Sequence, residues 1–170
     1  LVQHIQHAGR GATRIGREGQ QQPANWFGQW AAAIKPCIWD MHIKAALWSK
    51  LAVNCIINPL TAVHRCTNGA LVQRRELAAE VATLCDEVAL ISRAAGYADV
   101  AATLQQNVAA VIAGTAGNRS SMLQDIEHGR RTEIDYITGY LLQVAEQHGI
   151  DVPSNRALLE TIKSGAYKKP

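Results

Sequence analysis

From His42 to the end of the chain, every periodic segment repeats its apolar residues at steps of three and four. That period places them on one side of an α-helix and is incompatible with the two-residue period of a strand. Most of the 170 residues must therefore fold as helices packed on one another. The spacing predicts a first long helix over 42–58, stopped by Pro59 because the residue before a proline is pushed out of the α region. Further helices are predicted over 76–95 (Leu77, Val81, Leu84, Val88 and Ile91 on one stripe, Gly96 behind it) and over 99–113 (Val100, Leu104, Val108, Ile112). A short helix follows over 121–127, then a long one over 133–148 with Gly149 at its C-terminal end. The last is expected over 154–162, capped by Ser154.

Residues 1–40 differ in character. Two strand-like runs, 1–7 and 12–16, flank a Gly9-Arg10-Gly11 turn and suggest a hairpin. Asn25 is placed to cap a short helix over 26–34 that stops at Lys35-Pro36, and 37–39 reads as one more strand. So few elements cannot close a core alone. The expected fold is mainly α: an all-helical domain over 42–170, preceded over 1–41 by a short α/β remnant, either the tail of an α/β unit or an edge appended to the helices.

Composition narrows the function classes. Hydrophobic residues make up 48% and charged residues 18%, with a net charge of +3, which speaks against disorder. The closest thing to a basic cluster, Gly129-Arg130-Arg131, with Lys168-Lys169 at the end of the chain, lacks the aromatic or motif support of a nucleic-acid surface, so no nucleic-acid partner is expected. No apolar run approaches the ~20 residues of a membrane helix and no leader pattern opens the chain, so no membrane association is expected. Cys37, Cys55, Cys66 and Cys85 have no paired spacing and read as reduced thiols of a cytoplasmic protein. The six histidines (His4, His7, His42, His64, His128, His148) offer no ligand spacing, and no metal site is expected. Residue 1 is Leu rather than Met, a hint that the chain is not a complete translation product.

Three places could carry chemistry. On the first long helix Lys50, Asn54 and Asn58 recur at a step of four, about 40° apart around the axis and ~6 Å apart along it. They form one polar stripe on an otherwise apolar helix, which faces either solvent or a cleft that takes a polar ligand. Thr132 with Asp135 reads as a capping box with Glu133 in the first turn, where a carboxylate suits the helix dipole. Ser120-Ser121 opens the short helix at 121, whose amides could meet an anion or simply be capped.

Together these segments resemble the ketopantoate reductases (2-dehydropantoate 2-reductases). The resemblance rests on 48–62 (WSKLAVNCIINPLTA), on Asn68-Gly69, on 118–125 (NRSSMLQD) and on 131–137 (RTEIDYI). It covers about residues 43–165, with weaker similarity of 1–40 to the end of the family's Rossmann-type nucleotide-binding domain. The loop 66–70 reads CTNGA where the family has proline second and glutamate fifth. The resemblance implies reduction of 2-dehydropantoate to pantoate with NADPH, a step toward pantothenate and coenzyme A. It puts the proton-donating lysine at Lys50 and the substrate-binding residues at Asn54, Asn58, Asn68 and Ser121. The glutamate that contacts the cofactor falls on Glu133.

A dinucleotide site needs a glycine-rich turn between strand and helix. The run Gly9-Arg10-Gly11-Ala12-Thr13-Arg14 has arginine where the third glycine belongs and no helix after it. The glycine-rich cofactor motif is thus expected to be absent from this chain, which alone should turn over nothing. Two other functions remain open at this level. One is a non-enzymatic helical module that pairs into a homodimer through exposed apolar faces. The other is a reductase of another 2-keto acid.

Overall fold

The computed structural model describes residues 11–165. The chain divides into two compact units at Leu47/Trp48. In the first, β1 (Thr13–Ile15) pairs in parallel with β2 (Cys37–Trp39), Thr13 opposite Cys37 and Ile15 opposite Trp39. A parallel pair needs a crossover, and α1 (Phe27–Ala33) supplies it. β1 therefore has β2 as its partner; the 1–7 arm of the expected hairpin, with Gly9 and Arg10, lies outside the described residues. Trp39 packs edge-on against Phe27 (5.4 Å between centroids) and Trp26 (6.2 Å), and its indole N–H donates to Gln20 O at 2.8 Å. Asn25 does not cap α1: Trp26 takes that position with no side-chain bond. Asp40 accepts from His42 N (2.8 Å) and from Arg14 (2.9 Å), and both hold its carboxyl below the usual carboxylate range.

The helix α2 (Ile43–Val63) runs on into the second unit. It passes through Pro59 rather than ending before it. A proline inside a helix removes one amide donor and crowds the preceding turn, costing ~3 kcal/mol. Here Ile56, Leu60 and Ala62 are all fully buried around it, and apolar burial worth ~1.5–3 kcal/mol for a large side chain outweighs the loss. Thr61 Oγ1 also donates back to Ile57 O at 2.8 Å, and His64 N to Leu60 O at 3.0 Å, so the ladder resumes at once. With 21 residues and a mean hydropathy of 1.2, α2 is long and apolar enough by composition to cross a membrane, contrary to the expectation from the sequence. In this fold, 61% of its most apolar 18-residue window is buried inside the protein, as in the core helix of a globular fold.

After α2 come α3 (Ala70–Gln73), α4 (Arg75–Ala94), α5 (Ala98–Gly114), α6 (Ser121–Glu127), α7 (Thr138–Gln147) and α8 (Pro153–Ser164). α4 packs on α3, α5, α7 and α8. The expected stripes of α4 and α5 form the core: Leu84, Val88, Ile91, Leu104, Val108 and Ile112 are at most 1% exposed, beside Leu60 and Leu141. A second cluster joins Ala62, Met122, Ile134 and Ile162.

Besides that of Asn25, two expected caps are not formed. The segment from Glu133 is a turn, with Glu133 O accepting from Tyr136 N (2.9 Å) and Ile137 N (3.1 Å). Gly139 N then reaches five residues back to Ile134 O (3.0 Å), which breaks the helical ladder, so α7 starts at Thr138 and the Thr132–Asp135 capping box does not exist. Ser154 does not cap α8 either. The cap comes from across the fold: Glu87 on α4 accepts from Ser154 N (2.8 Å) and from Asn155 N (2.9 Å) and Nδ2 (2.8 Å).

Candidate functional site

The stripe on α2 is graded. Lys50 is exposed, Asn54 half-buried and Asn58 buried at 7% exposure, so the row runs from solvent into the domain. Lys50 makes no ion pair with any described residue. Asn58 has no side-chain hydrogen bond within the described residues, yet its amide atoms are not sealed from solvent. A buried amide without a protein partner is costly unless water or a ligand meets it. The Asn58 amide is thus left open to water or a polar ligand.

Asn68 is also 7% exposed. Its Nδ2 donates to Thr115 Oγ1 at 2.8 Å, while its Oδ1 is sealed and unpartnered. Its backbone N–H donates to Asn118 O and that of Gly69 to Ala116 O, both at 2.9 Å. A Cβ on residue 69 would meet Ala116 O at 2.9 Å, so only glycine lets the two loops approach this closely.

Ser120 is the N-cap of α6 and accepts from Leu123 N at 3.1 Å. Ser121 beside it is exposed and donates to Glu133 Oε1 at 3.3 Å. Glu133, likewise exposed, lies in the turn before α7 and not on a helix. The segment 115–121 is thus a hub that touches Asn68 at one end and Glu133 at the other. Sequence periodicity misses two further members. Thr115 fixes Asn68, and Thr61, fully buried, lies 2.7 Å from Ser120 Oγ. Thr61 could have been found by extending the stripe three residues past Asn58 into the apolar run. Among the described residues no three His, Cys, Asp or Glu side chains gather as metal ligands.

The sequence family described as ketopantoate reductase PanE/ApbA C terminal matches residues 42–166. The chain belongs to the ketopantoate reductase family. The 2-dehydropantoate 2-reductase of Vibrio cholerae is 43% identical over 171 residues, covering 96% of this chain and 55% of its own length. That of Salmonella typhimurium is 44% identical, with 94% and 52% covered. The chain therefore spans about half the length of the curated relatives it matches. Among solved structures, the PanE/ApbA family ketopantoate reductase of Ralstonia eutropha superposes with a TM-score of 0.79 at 29% identity, over 96% of this chain and 54% of that one. The helical architecture described above is that of the ketopantoate reductase C-terminal domain.

Proposed function

We propose that this chain is the substrate-binding part of an NADPH-dependent 2-dehydropantoate 2-reductase of the cytoplasm, its first 41 residues belonging to the nucleotide-binding domain. The observation that carries the reading is the graded stripe, an unpaired ammonium at the mouth of a row of asparagines whose deepest amide has no protein partner.

In the reaction the carbonyl carbon of the 2-oxo acid gains a hydride and its oxygen a proton. When bound, NADPH supplies the hydride and leaves as NADP+. Lys50 Nζ gives its proton to the carbonyl oxygen as negative charge develops there, because an acid placed at that oxygen stabilises the alkoxide as it forms. Asn54 and Asn58 donate and accept along the substrate's hydroxyl and carboxylate, and the exposed Ser121 hydroxyl completes the polar set. Asn68 joins it by turning its sealed amide outward when substrate binds. Glu133 fits one contact with the cofactor: its carboxylate has a single long bond to Ser121 and keeps acceptor capacity for ribose or carboxamide donors.

The test is made on the full-length protein that carries this chain. Lys50→Ala lowers kcat by about 10²-fold or more while cofactor affinity stays within a few-fold. Unchanged turnover removes Lys50 from the role. A wild type that reduces another 2-oxo acid and not 2-dehydropantoate moves the substrate assignment and leaves the acid in place.

A further inference from the structure

The hydroxyl of Thr61 lies eleven residues beyond Lys50 on α2, about 16 Å along the helix and outside reach of the reacting atoms. It is fully buried, and Ser120 is 7% exposed, with their oxygens 2.7 Å apart. Each has one proton, and one assignment satisfies both. Thr61 donates to Ile57 O at 2.8 Å, with Asn58 O near at 3.0 Å. Ser120 donates to Thr61 and accepts from Leu123 N at 3.1 Å. Among the described residues this is the one side-chain hydrogen bond that joins α2 to the 115–121 hub. That hub in turn carries Asn68 through Thr115 and Asn118, and Glu133 through Ser121.

We infer that Thr61 is a positioning residue: its buried hydroxyl pair with Ser120 sets the spacing between the asparagine stripe of α2 and the loop that carries Ser121 and Asn68, and so sets affinity for the oxo acid. The inference rests on the function proposed above. Asn58 is three residues from Thr61 and feels a shift of this joint most, whereas Lys50 is three turns away. Loss of the pair therefore acts on substrate binding more than on proton transfer.

The experiment uses steady-state kinetics on the full-length enzyme. Thr61→Val, equal in shape but without the hydroxyl, raises KM for 2-dehydropantoate about 10-fold, the scale of one neutral hydrogen bond, with kcat within about threefold and KM for NADPH unchanged. Thr61→Ser restores KM to within about twofold. Ser120→Gly removes the partner hydroxyl while sparing most of the N-cap, since glycine there costs only a few tenths of a kcal/mol. It raises KM to the same degree, and the double variant raises it no further. A purely structural threonine predicts the opposite pattern. Thr61→Val would then lower thermal stability with KM unmoved, or Ser120→Gly would act independently and the effects would multiply; either result overturns the positioning role alone. A wild type inactive on every 2-oxo acid overturns the functional reading and this inference with it.

Discussion

Burial pushes the Cys55 thiol up to about 12 and that of Cys85 up to about 11, from an ordinary value of 9.0. For Cys55 loss of hydration dominates, offset by the nearby Thr138 hydroxyl; for Cys85 loss of hydration dominates and Asp86 adds to it. Cys66 is raised as well, again by burial, with Arg74 acting against it. Above about pH 9 the unfolded chain releases these protons while the native chain keeps them up to about 11 and 12. The unfolded state then binds fewer protons, so stability falls as pH rises through this window. We expect the melting temperature to hold up to about pH 9 and to decline steadily above it. Replacing Cys85 by Ala should make that decline shallower, and a slope identical to wild type sinks the linkage to Cys85. In the same pH range a thiol reagent should modify half-buried Cys37 well before Cys55, Cys66 and Cys85, which are buried.

At the scale of elements, Glu87 binds two helices into one unit. A helix starts with unpaired N–H groups and a partial positive charge, and the Glu87 carboxylate on α4 meets both at α8. Glu87→Gln keeps the shape but turns an amide N–H₂ toward backbone N–H donors, leaving at least one of them unmet in a buried place. The expected loss is about 1.5–3 kcal/mol in urea unfolding, seen as a lower midpoint at unchanged slope. An unshifted midpoint means that water serves α8 as well as Glu87 does. This cap was illegible in the sequence because its two ends are 67 residues apart, and a local rule nominated Ser154 instead. The same limit explains Pro59 and Glu133. Proline and capping-box rules describe what a segment prefers alone, but the burial of Leu60 and Ala62 holds α2 together past its proline. Ile134, buried beside Met122 and Ile162, pins a turn where α7 was expected to begin. What the sequence did reveal rests on period: the apolar stripes of α4 and α5, and the polar row of Lys50, Asn54 and Asn58. That Asn68, Ser121 and Glu133 share one loop hub follows from backbone bonds between loops, which leave no periodic trace.

Across the whole chain, the two compact units differ in what holds each together. Within the described part of the first, no residue is buried; its order comes from two three-residue strands, a seven-residue helix without a side-chain cap, and edge-on contacts among Trp26, Trp30, Phe27 and Trp39. Within the second, a continuous core runs through α2, α4, α5 and α7. Backbone hydrogen bonds open locally where few apolar contacts must break, and only with global unfolding where they lie inside a core. The bonds Thr13 N to Pro36 O and Asp40 N to Ile15 O belong to the first kind, and the amides around Leu84–Ile91 and Leu104–Ile112 to the second. Hydrogen exchange on this 170-residue chain, followed by mass spectrometry, should show the β1–α1–β2 peptides exchanging about 10³-fold or more faster than those of α4 and α5, given a global stability of at least ~5 kcal/mol. Equal protection in both units would mean that the strand pair draws on burial beyond its own residues, which overturns this account of what holds it.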